Sequence, residues 1–243
     1  MIKRIVLLSF ILGANLSFAQ KTDAQLIDEL QMDALKYFWD FTHPVSKLSR
    51  ERIHQEDLSF DQNTIATGGS GFGFLNIILA IENGYISQSQ GVTHLHTALD
   101  FLASADRFHG AWPHWLEGNT GVVIPFSEFD DGGDLVETAL LSQSLICIRE
   151  YFKNGNTQEQ LLAQKADGLW RGVEWNWYTK GENVLYWHWS PNHNWQMNLQ
   201  IRGYNEALTP YLLAVSSPEH HLDTQVYHQG WERGGENASS QSQ

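Results

Sequence analysis

At 243 residues, with 42% hydrophobic and 18% charged content, the chain is long enough to bury a core and reads as globular. Its formal net charge of −13, with only 15 Lys and Arg and no basic stripe, excludes a phosphate-backbone partner, so no nucleic acid is expected. The compositional signal that remains is 10 Trp. Such rings fill cores, and they also stack on the apolar faces of sugar rings.

In chain order, MIKR is a short positive start, IVLLSFILGANL an apolar run, and Ser17-Phe18-Ala19 a small-x-small cleavage site before Gln20. Together they predict a secretory signal peptide over 1–19 and an exported protein, periplasmic or extracellular. No later apolar run reaches the roughly 18 residues of a span, so no membrane partner is expected after cleavage.

Helical periodicity then dominates. Residues 24–41 put Leu26, Leu30, Ala34, Tyr37, Phe38 and Phe41 on one stripe. Further helices are predicted over 70–83, 90–107, 131–153, 157–171 and 199–215. Between the last two, WNWYTKGENVLYWHWSPNHNW (175–195) reads as a long functional loop or small hairpin outside the core. The sole cysteine, Cys147, has no internal partner and within LICIREYF is expected to pack as a small core hydrophobe. The aperiodic tail 232–243 reads as disordered.

The stretch FSEFDDGGDLVETAL (126–140) crowds carboxylates. Asp130, Asp134 and Glu137 are spaced by four and three, which places them on one face of a helix beginning near Asp131, itself the expected N-cap. Such a cluster is either a capped helix start or the wall of a site. Gly132-Gly133 favours the site, because glycine lets backbone approach closely. A cleft carboxylate is crowded at a cost, so Asp134→Asn is expected to leave melting unchanged or raise it. A second acid, Glu206, lies in RGYNEALTPYLL, either desolvated by aromatic and apolar neighbours, which would raise its pKa as a general acid needs, or exposed on a helix. WPHW (112–115) and WHWSPNHNW (187–195) offer Trp platforms with His and Asn groups for hydroxyls. HLH and EHH lack metal-site spacing, GGSGFGF lacks the third fingerprint glycine, and no GxSxG occurs. No metal and no cofactor are implied.

WPHW, PFSEFDDGGDLVETALL, LWRGVEWNWY, LYWHWSPNHNWQMNLQIRGYNEAL and SSPEH…YHQGW together resemble the N-terminal half of the bacterial glucoamylase-like group. Its characterised members are the endo-β-1,2-glucanases of glycoside hydrolase family 144. The resemblance runs over 26–231 and implies an all-α, (α/α)6 toroid domain at 20–231, with about three of six helical hairpins present. It implies hydrolysis of a β-glucan, β-1,2-linked, by an inverting acid/base route. Glu206 would be the general acid, and Asp130, Asp134 and Glu137 the acidic cluster of the cleft. Around them, Trp112, His114, Trp115, Trp177, Trp187, His188, Trp189, Asn194, Trp195 and Tyr204 would contact the oligo- or polysaccharide. Two rivals stand beside this reading. One is a truncated, inactive glycan-binding remnant whose unpaired toroid edges self-associate. The other is a lyase, which the acidic cluster disfavours because a uronate needs Arg or Lys. Thr209-Pro210 would also kink the helix expected to carry Glu206.

Overall fold

The computed structural model describes residues 21–233, so the signal-peptide segment 1–19 and most of the tail lie outside the described residues. Among the described residues, six α-helices and five short strands follow one another: α1 Asp23–Leu35, β1 Thr64–Ala66, α2 Thr67–Glu82, α3 Gln88–Ser104, β2 Trp115–Glu117, β3 Val123–Ile124, β4 Gly133–Asp134, α4 Leu135–Phe152, α5 Thr157–Arg171, β5 His188–Trp189 and α6 Leu208–Ser216. The helical count agrees with the periodicity, and the strands are additions that periodicity cannot announce at two or three residues each. They form an antiparallel β1-β2-β3 sheet, with Ile65 opposite Leu116, and an antiparallel β4-β5 ladder, with Asp134 opposite His188.

Helix α4 is the hub. Leu135, Val136, Ala139, Leu141, Leu145, Ile148 and Phe152 are all buried, which is what a helix packed on several sides requires. α2, α5 and α6 pack against it, and α3 packs on α5. The glycines of GGSGFGF serve this packing. A Cβ at Gly71 would stand 2.6 Å from the Leu140 carbonyl oxygen, so α2 and α4 meet backbone to backbone. Among the described residues, no helix is long and apolar enough to cross a membrane.

Several boundaries and burials differ from the sequence reading. The first helix ends at Leu35 and passes into a π-helical turn, Lys36–Asp40. Its apolar stripe faces solvent: Leu26 is 50%, Ile27 55% and Leu30 70% exposed. Periodicity finds an apolar face but not whether anything covers it. Cys147 is exposed, not a core residue, because α4 buries its opposite sides against α2, α5 and α6. The aromatic stretch is part of the core as well as a loop, with Trp175, Tyr178 and Leu185 fully buried. α6 begins at Leu208, not near 199. Pro210 therefore sits in the first turn, where its missing N–H has no intrahelical partner to lose, and no kink follows.

Candidate active site

The acidic stretch is not one helix face. Asp130 closes a tight turn, bridging to Ser127, and precedes the helix. The N-cap is Asp134, not Asp131: its Oδ1 accepts from Val136 N–H and Glu137 N–H, both at 2.9 Å. Its Oδ2 accepts from His114 Nδ1 at 2.9 Å and Trp187 Nε1 at 3.3 Å. Asp134 is 1% exposed, and four donors satisfy it. Asp134-x-x-Glu137 has capping-box spacing, yet Glu137 does not reach back. The Asp134 N–H is taken by the Trp112 carbonyl, and Glu137 Oε2 accepts from Gly68 N–H, in the first turn of α2, at 2.7 Å. One carboxylate thus caps its own helix and the other caps a neighbour.

Asp131 turns away to bind Ser190 Oγ and, at 2.5 Å, Asn192 Nδ2. Burial pushes its carboxyl up, but these hydrogen bonds outweigh it and hold it below the usual carboxylate value. The lock explains the double glycine: a Cβ at Gly132 would stand 2.1 Å from the Trp189 carbonyl oxygen. The close approach is to β5, within the protein. Gly132→Ala should therefore cost about 1–3 kcal/mol, as overpacking does, read as a lower melting temperature.

Asp130 is the exception to this satisfied network. It is 8% exposed, and its Oδ1 has no hydrogen-bond partner. His188 Nε2 lies 3.7 Å from that oxygen but donates to the Phe129 carbonyl at 2.5 Å. Burial raises the Asp130 carboxyl above its ordinary value; His188 draws it back in part, and Asp134 adds to the rise. Glu137 is raised by burial and then by Asp134, with Glu206 contributing a smaller repulsion. For His114, burial works against the charge, but the hydrogen bond and charge of Asp134 outweigh it and raise the pKa.

A ring nitrogen of His114 and one oxygen each of Asp130 and Asp134 lie within 4.8 Å of one another. One His and two carboxylates could ligate a cation, but the Asp134 oxygens already accept four N–H donors. A neutral molecule the size of water, donating to Asp130 Oδ1, fits the balance of donors and acceptors better.

The structure sorts the other candidates. Trp112 is fully buried, with its Nε1 bonded to the Leu102 carbonyl and the Arg107 guanidinium 4.0 Å from its ring centre, so it is a core residue. His188, 3% exposed, is likewise internal and secures the 126–131 turn. Trp187 touches the cluster through Asp134. Trp115 lies beside it: Phe126 stacks obliquely on both His114, at 4.2 Å, and Trp115, at 4.9 Å. The sequence reading passed over Phe126 and the Gly68 N–H; both lie inside quoted motifs, but no spacing rule marks them.

Trp177, Trp189 and Trp195 form a separate group. Strand alternation sends His188 toward Asp134 and Trp189 to the opposite face. There Trp177 stacks on His109 at 3.6 Å, with Trp189 edge-on at 6.0 Å and Trp195 tilted at 6.4 Å, while 39% of it stays exposed. Asn194 is exposed and holds φ +52° in the tight turn whose backbone pairs with Ser190. Tyr204 is 76% exposed, and Glu206 lies on an exposed turn before α6, not among apolar neighbours. Of the two readings of Glu206, desolvated or exposed, the structure has the exposed one.

Comparison with known proteins places this geometry in context. No family model matches the chain. The exo β-1,2-glucooligosaccharide sophorohydrolase of Parabacteroides distasonis is 40% identical over 213 residues, covering 86% of this chain and 29% of that protein. The endo-β-1,2-glucanase of Chitinophaga pinensis, solved with sophorotriose and glucose, superposes with TM-score 0.87 at 49% identity, over 89% of this chain and 52% of its own. A β-1,2-glucanase from Parabacteroides distasonis superposes with TM-score 0.83 at 38% identity, over 91% of this chain and 32% of its own. The chain spans about half the length, or less, of the relatives it matches.

Proposed function

Because the chain is a relative of the glucoamylase-like β-1,2-glucan hydrolases, matched over half their length or less, we propose that it is an exported module of that activity. It forms about three hairpins of an (α/α)6 toroid and hydrolyses a β-1,2-glucan with inversion. The observation that carries the reading is the unpartnered, buried Oδ1 of Asp130 beside the His114–Asp134 hydrogen bond.

In this reading Asp130 takes a proton from water as the water attacks the anomeric carbon. Asp134 holds His114 by its Nδ1, so the ring can orient that water without moving. Glu206, near enough to Glu137 to repel it, gives its proton to the glycosidic oxygen as the bond breaks. Inversion needs the acid and base on opposite sides of the sugar, with room for water at the base. Trp115 and Phe126 supply the aromatic wall.

The test is reducing-sugar release from linear β-1,2-glucan, with the anomeric form of the product followed by NMR. Glu206→Gln should slow turnover about 10²-fold, the low end for a general acid, because an exposed carboxyl gains little from a low-dielectric setting. Glucan binding should persist, since the amide keeps the shape. Turnover near wild type in that variant would remove Glu206 from the acid role. The exposure of Glu206 and Tyr204 favours a second reading, a glycan-binding module without turnover. Retained binding with no sugar released, in the wild-type chain, would select it.

A further inference from the structure

The chain is anchored on either side of Asp130, and both anchors come from the short stretch 188–192. On one side His188 Nε2 donates to the Phe129 carbonyl at 2.5 Å. On the other, Ser190 Oγ and Asn192 Nδ2 donate to the Asp131 carboxylate, and Ser190 Oγ in turn accepts from Asn192 N–H and His193 N–H. Between the anchors, Phe126 N–H donates to the Asp130 carbonyl at 2.8 Å, and Asp130 N–H to the Ser127 carbonyl at 3.1 Å. Both backbone groups of Asp130 are thus fixed, while its side-chain Oδ1 is left without a partner.

His188 reaches this place by strand alternation. β5 pairs with β4, Asp134 opposite His188, so the ring turns inward where Trp189 turns out. The ring is 3% exposed and Asp130 8%, so the contact does not depend on an open surface. A carbonyl can only accept, so Nε2 carries a hydrogen there. That one hydrogen is committed to Phe129. At 3.7 Å from Asp130 Oδ1 the same nitrogen acts on the carboxylate through space, and the oxygen keeps its lone pairs.

We propose that His188 is the positioning residue for Asp130: it pins the Phe129 carbonyl, so that Oδ1 stays beside His114 and Asp134, buried and free to take the proton of an attacking water. The role rests on the reading of Asp130 as the base. It exceeds that of a turn-fixing bond, because the ring also favours the charged form of the carboxylate it places. Four titratable groups face Asp130: His188 from β5, Asp134 at the start of α4, His114 from the segment before β2, and Asp131 in its own turn. Asp134 and Asp131 oppose its charge, and the two histidines favour it. A base out of water and crowded by two carboxylates needs that counterweight to be ionised at the pH of turnover.

The experiment pairs His188→Gln with His188→Phe in the whole chain. Glutamine keeps an N–H at the reach of Nε2 but carries no charge; phenylalanine keeps a ring and has neither. His188→Phe should lower kcat on linear β-1,2-glucan about 10²-fold with KM little changed, the loss that a displaced catalytic group gives. His188→Gln should recover most of that rate, with the acid limb of its pH profile moved up. The Asp130 carboxyl is titrated directly in the same chains by carboxyl-carbon NMR, and its midpoint should lie higher in His188→Gln than in wild type. A bond that only stabilised the turn would do the reverse, because its loss would admit water and bring the midpoint down. In wild type, ring-nitrogen NMR should show hydrogen on His188 Nε2 throughout the titration, a reading that requires no variant to fold. An Nε2 without hydrogen overturns the proposal. So does an Asp130 midpoint unchanged or lowered in His188→Gln, or a glutamine variant no faster than the phenylalanine one in an active chain. Activity is scored apart. A chain that releases no sugar but shows the raised midpoint keeps His188 as the residue that places Asp130 and removes the enzymatic reading. An active chain with an unmoved midpoint does the opposite.

Discussion

Asp130→Asn is expected to lower turnover of linear β-1,2-glucan by about 10³-fold while raising the melting temperature at pH 7. The two effects share one cause. In the folded chain the carboxyl is buried, its Oδ1 is unpartnered and Asp134 stands nearby, so its pKa lies above the unfolded value. Folding therefore favours the protonated form. That contribution is fully present below the unfolded pKa and is lost as pH rises through the folded one. At pH 7 the charge is a cost, and an amide of the same shape removes it. A melting temperature higher by roughly 2–4 °C is expected, the change that about 1 kcal/mol gives in a chain of this size. The same elevation puts the acid limb of the kcat/KM profile above the ordinary aspartate range. Circular-dichroism melts and initial rates decide the matter. An Asp130→Asn protein that keeps its rate, or melts below wild type, would show this carboxylate to be structural.

Asp134→Ala should behave in the opposite sense, losing about 3 kcal/mol of stability. The substitution removes an N-cap that serves two N–H groups, which costs about 0.5–2 kcal/mol. It also strands Trp187 Nε1 and His114 Nδ1 in a partly buried setting, at about 1–3 kcal/mol for each donor left unmade. A melting temperature lower by about 6–12 °C is the expected reading. Asn at this position restores the cap oxygen but turns an amide N–H₂ toward two donors, so Asp134→Asn should recover only part of the loss. This corrects the expectation that crowding makes Asp134 costly. The cost lies at Asp130, where no donor answers the charge. Melting of Asp134→Ala equal to wild type would refute the account.

Part of this protein is readable from residues in order. Helix α5 lies at 157–171, as its pattern predicts, because Asn156 and Glu159 form a capping box and Gly172 follows Arg171, all local signals. The helical character of the other five follows from periodicity, and the likeness to β-1,2-glucan hydrolases from WPHW, FDDGGDLVETAL and WHWSP taken together. The membership of the acidic cluster was legible too, since spacing singled out Asp130, Asp134 and Glu137. Their roles were not. A spacing of four and three suggests one helix face, whereas the chain turns sharply at Ser127–Asp130 and starts the helix at Leu135, so three similar acids meet three different environments.

Tertiary contact decided the rest. Whether Asp134 or Asp131 caps α4 depended on Trp187 and His114 arriving from one side, and on Ser190 and Asn192 drawing Asp131 to the other. Trp112 and Trp115 stand three residues apart in one motif, yet one lies in the core and the other beside the site, because β2 begins at Trp115. Glu206, whose neighbours in sequence leave desolvation and exposure both open, is exposed because α6 begins two residues later and carries those neighbours away. Hydrogen-bond geometry and burial are set by residues distant in the chain, and a pKa follows burial and charge, not spelling. Sequence singled out the carboxylates; the fold decided which of them is left without a partner.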